Sequence, residues 1–219
     1  MKRRIDTLLF DLDGTLVDSG SGIMKTVQYV LSQLGIQVDD YQVLRPFVGP
    51  PLEDSFRDFY HLTSEEVERA VELYRVEFSR HGIYDQHMYP GVVEFLQEVR
   101  RRGYRTALAT SKMDFQAEKV VGEIFPALGL QLDYVFARDS EGTLHTKADV
   151  IRHGLRQMGI SALDTVLMVG DRKFDVEGAR ECGLQSAGVL FGFGDREELE
   201  AAGANYICAS YGELLEILS

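Results

Sequence analysis

Four short apolar runs punctuate the chain: Thr7–Asp11, Arg105–Thr110, Thr165–Gly170 and Gln185–Phe191. Each is followed by a polar or glycine turn and then by a stretch of helical periodicity. This alternation constrains the fold more than any other feature. Near-continuous apolar strands are buried on both faces, and strands separated by helices return in parallel. Two weaker runs, Tyr134–Ala137 and Tyr206–Cys208, are expected as edge strands. Between them, Pro90 is expected to open a helix that Val93, Leu96 and Val99 continue to Gly103. Lys147–Met158 carries Val150, Ile151, Leu155 and Met158 on one stripe before Gly159. Asp175–Glu181 leads to Gly183, and Arg196–Ala202 to Gly203. The expected fold is α/β, a doubly wound parallel sheet with helices on both faces.

One stretch breaks the alternation. Between the first run and Pro90 there is no strand candidate. Ile23, Val27, Val30, Leu31 and Leu34 lie at helical spacing up to Gly35, and Leu52, Phe56 and Phe59 form a second stripe. Thr63 with Glu66 reads as a capping box before Val67, Val71, Tyr74 and Phe78. So long a segment is a small domain rather than a loop. The expected division is an α/β core of residues 1–16 and 89–219 and an all-helical insertion of residues 17–88.

Composition bounds the function. The 219 residues hold 35 acidic and 23 basic side chains, a formal charge of −12. Nucleic acid or an anionic membrane would repel such a surface, so neither is expected as a partner. No apolar stretch approaches membrane-spanning length, and Asp6, Asp11 and Asp13 interrupt the first apolar run too early for a signal peptide. Cys182 and Cys208 show no metal-binding spacing and are expected as small buried residues in a reducing, cytoplasmic setting. His61, His81, His87 and His153 likewise lack ligand spacing.

Chemistry concentrates where the runs end. Phe10-Asp11-Leu12-Asp13-Gly14-Thr15 closes the first run, and Gly170-Asp171 with Asp175 closes the third. Ligand sites of open α/β sheets lie at the carboxyl ends of strands. Carboxylates crowded there need a cation, and Asp11, Asp13 and Asp171 suit a hard one with oxygen ligands, expected to be Mg²⁺. An EF-hand is excluded, because no third acid and no terminal Glu stand at its required spacing. Thr110-Ser111-Lys112 ends another run, where a hydroxyl and backbone N–H groups can hold a phosphate oxygen. Lys147 starts a helix, a position the helix dipole disfavours for a cation, which hints at a role.

In order, the chain reads DxDGT, Ser, Lys, GDxxxD. It resembles the haloacid dehalogenase superfamily of phosphotransferases over essentially its whole length, with a helical cap after the first motif. The resemblance implies a Rossmann-like core. It implies Asp11 as nucleophile, forming an aspartyl-phosphate, and Asp13 as acid–base group whose backbone carbonyl also reaches the metal. It implies Asp171 as a direct Mg²⁺ ligand, Asp175 as an indirect one, and Ser111 and Lys147 as phosphoryl holders. Ala148 stands where many relatives have proline after the lysine, and Lys112, Lys173 and His145 are alternatives to Lys147. Dehalogenating relatives lack the second Asp, so Asp13 speaks for phosphate chemistry.

In the Arg45–Leu52 segment, expected as a turn between helices, Arg45 and Gly49 are candidate specificity residues. The resemblance is strongest to phosphoglycolate phosphatases and 5′-nucleotidase-like enzymes. The expected activity is Mg²⁺-dependent hydrolysis of small phosphorylated metabolites by a monomer or homodimer. The alternatives are a sugar phosphomutase, a nucleotidase or pyrophosphatase, and, in a different class, a receiver-like phospho-acceptor module.

Overall fold

The computed structural model describes residues 5–218. The chain divides into two compact units, one of the residues up to Val17 and from Met88 onward, the other of Asp18–His87. The division falls one residue inside each boundary expected from the sequence.

The larger unit begins with β1 (Thr7–Phe10). The chain leaves through β2 (Val17–Asp18) and returns through β3 (His87–Met88), two-residue strands that pair with each other. The smaller unit contains α1 (Gly20–Gln33), a 3₁₀ helix over Tyr41–Phe47, α2 (Leu52–Tyr60), α3 (Ser64–Arg80) and a 3₁₀ turn at Gly82–Tyr84. After β3 come α4 (Val92–Arg101), β4 (Arg105–Met113), α5 (Asp114–Lys119), a wide turn over Val120–Ile124, α6 (Phe125–Ala127) and β5 (Tyr134–Arg138). Then follow α7 (Lys147–Gln157), β6 (Val166–Gly170), α8 (Lys173–Glu181), β7 (Gln185–Val189), α9 (Arg196–Ala202), β8 (Tyr206–Cys208) and α10 (Tyr211–Ile217).

Six strands form one parallel sheet in the order β5-β4-β1-β6-β7-β8. The two weaker sequence candidates, β5 and β8, are its edges. The strongest runs, β1 and β6, are buried at every position because helices cover both faces. Alternation along β1 divides the core. Leu9 joins Met168, Val150, Ile151 and Ala179 beneath α7 and α8. Phe10 points to the other face and meets Phe95 of α4 edge-on, and Phe95 stacks on Tyr211 of α10.

Local chemistry moves several boundaries. Gly91, in the left-handed region at φ 85°, separates Pro90 from the helix, so α4 starts at Val92 rather than on the proline. Thr165 belongs to a 3₁₀ turn, its hydroxyl donating to the Ala162 carbonyl, and β6 begins one residue later. β4 continues past Thr110 because pairing with β5 resumes at Met113 after an irregular stretch.

The smaller unit is helical apart from its share of β2 and β3. Val27, Val30, Leu31, Phe56, Val71 and Phe78 are buried, and Phe47 meets both Phe56 and Phe59 edge-on. The Thr63–Glu66 capping box is formed. The Arg45–Leu52 segment is not simply a turn. Its first residues belong to the 3₁₀ helix, which Asp40 caps by accepting from the Gln42 N–H.

Helix α1 can approach the 82–85 turn only because Gly22 has no side chain. A Cβ there would lie 2.2 Å from the Gly82 carbonyl oxygen. Gly22→Ala is expected to destabilise the protein by about 1–3 kcal/mol through overpacking. Gly122→Ala, where a Cβ meets nothing within 4 Å, is expected to be neutral or slightly stabilising. Denaturant unfolding of both variants checks the contrast.

Candidate active site

β1 lies between β4 and β6, and its carboxyl end, Phe10, is in register with both Leu108 and Val169. The residues just beyond these positions therefore converge. Asp11 still donates its N–H to the Val169 carbonyl at 2.9 Å, so its side chain leaves from a fixed backbone. Asp171 follows β6 directly and is fully buried, while Asp175 is buried in the first turn of α8.

Lys147 joins these acids. Its side chain is 4% exposed, and its ammonium stands 2.8 Å from Asp11 Oδ1 and 2.8 Å from Asp175 Oδ1. The directed hydrogen bond from that ammonium goes to the Ala109 carbonyl at 3.0 Å. The two carboxylate oxygens are held by charge and lack a hydrogen-bond partner in good geometry. Burial works against the charge on Lys147, but Asp11 and Asp175 outweigh it and hold its pKa above the ordinary lysine value. The lysine that seemed misplaced at a helix start is thus a buried counter-ion. Thr146 and Asp149 cap that helix start reciprocally.

Lys112 makes a second pair. Its ammonium stands 2.9 Å from each oxygen of Asp13. The other lysine candidate, Lys173, is exposed and lies over the Phe174 ring, and His145 is exposed as well. Ser111 is half-buried. Its neighbour Thr110 is the buried hydroxyl of this segment, and it accepts the Lys112 N–H at 3.2 Å. Arg45 and Gly49 lie in the helical unit, both exposed, with Gly49 at φ 109°.

Burial raises the Asp11 pKa to about 6. Lys147 opposes this rise, and Asp175 and Asp13 add to it. Asp171 is pushed well above the ordinary carboxylate range, first by burial and then by Asp175 and Asp11. Its Oδ2 accepts the Phe193 N–H at 2.7 Å, and its Oδ1 accepts from the Thr15 hydroxyl at 3.4 Å. Gly14 closes over it at φ 83°, where a Cβ would fall 2.1 Å from Asp171 Oδ2. Tyr211 donates its hydroxyl to the Thr15 carbonyl and stacks near Phe191. Thr15, Phe193 and Tyr211 were not foreseen. Thr15 could have been, as the hydroxyl after DxDG, but nothing local marks a tyrosine in the last helix.

The acids fit a hard divalent cation. Asp11, Asp171 and Asp175 each offer an oxygen, and these oxygens lie within 4.8 Å of one another. Three carboxylates there face one buried ammonium, Lys147, which leaves negative charge to balance, and an all-oxygen donor set suits Mg²⁺. The Asp13 carboxylate, grouped with the metal acids on sequence grounds, lies outside this cluster because Lys112 holds it.

Comparisons with known proteins identify the family. Residues 8–189 match the family model of haloacid dehalogenase-like hydrolases. A 5′-nucleotidase of Pseudomonas aeruginosa is 35% identical over 215 residues, covering 98% of this chain and 96% of that protein. The pyrophosphatase PpaX of Bacillus mycoides is 28% identical over 216 residues, covering 99% of this chain and 98% of that one. Among solved structures, a predicted phosphatase from Clostridium acetobutylicum superposes with a TM-score of 0.90 at 38% identity, covering 98% of this chain and 100% of that one.

The raised carboxyl pKa values have a thermodynamic sign. Above the unfolded-state value near 4, folding must keep Asp11 and Asp171 ionised at a cost, complete once pH exceeds the folded values. Below that range both are protonated and the cost vanishes. A cation that neutralises them is therefore expected to raise Tm more at pH 7.5 than at pH 5. Asp171→Asn is expected to raise the Tm of metal-free protein at pH 7.5 and to abolish the rise caused by Mg²⁺. Thermal melts with chelator or with Mg²⁺ check both expectations.

Proposed function

This chain belongs to the haloacid dehalogenase-like hydrolase family and is a phosphatase, and we propose that it hydrolyses small phosphate monoesters through an aspartyl-phosphate on Asp11, with Mg²⁺ as cofactor. The observation that carries this is the pairing at the end of β1. Asp11 is held against Lys147 beside two further buried acids, and a separate carboxylate two residues on, Asp13, is available for proton transfer.

Asp11 attacks phosphorus as the bond to the leaving oxygen breaks, and Asp13 gives that oxygen its proton. Water then attacks the aspartyl-phosphate, Asp13 takes the water's proton, and phosphate leaves with Asp11 regenerated. Ser111 and Lys147 hold the phosphoryl oxygens, and Lys147 also offsets the charge of Asp11. Asp11 and Asp171, with the Asp13 carbonyl and Asp175 as an indirect partner, would hold Mg²⁺, which would supply charge neutralisation to the transferring group.

The substrate's organic end falls to the helical unit, read as a cap tethered at Val17–Asp18 and His87–Met88. Arg45 offers a guanidinium to a carboxylate or second phosphate, and Gly49 gives its loop a bend. Two buried, free cysteines and the lack of a membrane-crossing helix among the described residues support action in the cytoplasm.

The test is phosphate release from nucleoside 5′-monophosphates, phosphoglycolate and pyrophosphate. Activity is expected with Mg²⁺ and none in excess chelator. Asp11→Asn is expected to lose both turnover and the phosphoenzyme seen by mass spectrometry. Asp13→Asn is expected to lose about 10²–10⁴-fold, least with an aryl phosphate whose leaving group needs no proton. Persistence of a phosphoprotein without turnover would favour a signalling module instead. Arg45→Ala is expected to raise KM about tenfold for the best doubly anionic substrate, a loss of about 1.4 kcal/mol, while sparing p-nitrophenyl phosphate.

A further inference from the structure

Two lysines enter the site, and the geometry gives them different partners. Lys147 touches Asp11 and Asp175. Lys112 touches both oxygens of Asp13 at 2.9 Å, through a side chain only 4% exposed. An ammonium centred on both oxygens of one carboxylate fixes the rotation of that group as well as its place. The backbone is shaped for this contact. From Ala109 to Met113 strand β4 advances four residues while its partner β5 advances two, from Phe136 to Arg138. Thr110, Ser111 and Lys112 therefore bulge out of the pairing, and a bulge re-aims the side chains it carries. The buried Thr110 hydroxyl stabilises the bulge by accepting the Lys112 N–H.

We infer that Lys112 is a positioning residue for Asp13 rather than a holder of the phosphoryl group, keeping the acid–base carboxylate turned away from the cluster of Asp11, Asp171 and Asp175. The need for such a tether follows from the crowding. The Asp11, Asp171 and Asp175 oxygens lie within 4.8 Å of one another, and Asp13 is two residues from Asp11. Without a partner of its own, the Asp13 carboxylate would compete for Lys147 or for a cation held by the other three. Lys112 thus separates proton transfer from charge neutralisation within a few ångströms. This inference rests on the proposed roles of Asp11 and Asp13.

A double-mutant cycle on p-nitrophenyl phosphate and on a nucleoside 5′-monophosphate separates the two roles for Lys112. Lys112→Met is expected to lower kcat at least tenfold on the nucleotide with KM changed less than about twofold. A smaller loss is expected on the aryl phosphate, in parallel with Asp13→Asn. The double variant Asp13→Asn, Lys112→Met is expected to stay within about twofold of Asp13→Asn alone, since coupled residues do not lose activity independently. Lys112→Arg, which keeps the charge and much of the packing, is expected to recover most of kcat. Thermal melts of each variant exclude misfolding as the source of any loss. Multiplying losses in the double variant, or a KM rise of tenfold or more with kcat retained, would overturn the inference and return Lys112 to phosphoryl binding. If Asp13→Asn itself shows no dependence on the leaving group, the acid–base assignment fails first. That outcome is distinct from an Asp13→Asn variant that behaves as expected while Lys112→Met does not.

Discussion

The site depends on one buried ammonium. Lys147 is nearly inaccessible to solvent, yet it carries its charge because Asp11 and Asp175 stand 2.8 Å away on either side and the Ala109 carbonyl takes a hydrogen bond. Removing either carboxylate would leave a buried charge short of a partner, which costs far more than losing an exposed pair. The lysine in turn opposes the rise in the Asp11 pKa that burial causes. The core is built so that this contact can form. β1 ends between β4 and β6, and α7 delivers Lys147 to that point, where its ammonium also meets the Ala109 carbonyl of β4.

Lys147 does not balance the site by itself. Asp171 is buried and held by the Phe193 N–H and the Thr15 hydroxyl. Its raised pKa and that of Asp11 are marks of stored cost, which stable folds tolerate where charge must be available for chemistry. The surrounding backbone is packed too tightly to relax. Gly14 lies so close to Asp171 that any side chain there would overlap the carboxylate. An aromatic group of Phe10, Phe95, Tyr211, Phe191 and Tyr89 backs the opposite face of β1, and Tyr211 reaches from it to the Thr15 carbonyl. The last helix thereby braces the loop that carries Asp13 and Gly14.

The two units follow different physics. The sheet unit places its chemistry at strand ends, where backbone pairing sets the spacing of side chains. The helical unit is held by apolar stripes and end caps, such as the Thr63–Glu66 box, and its segment around Arg45 is a 3₁₀ helix followed by a glycine–proline loop.

Much of this was legible along the chain, because its signals are local. An all-apolar run bounded by glycine and acids reads as a buried strand wherever it ends up, and β1, β6 and both edge strands lie close to where the runs predict them. Carboxylates that follow buried strands are brought to one sheet edge, which made Asp11 and Asp171 legible as neighbours, but the sequence set Asp13 beside them where the structure sets Asp175. Lys147 was legible as a misfit at a helix start, although its choice over Lys112 was not. The start of α4 was misplaced by two residues, since a left-handed Gly91 after proline outweighs the preference of proline for a first turn. The chain by itself determined the architecture and the set of charged groups, since periodicity and residue type act over a few neighbours. Only the tertiary structure decided which lysine meets which carboxylate, that Asp13 stands apart from the other acids, and that Thr15, Phe193 and Tyr211 support the site. Those pairings depend on strand order, on the bulge in β4 and on residues far apart in the chain, and no local pattern encodes such distances.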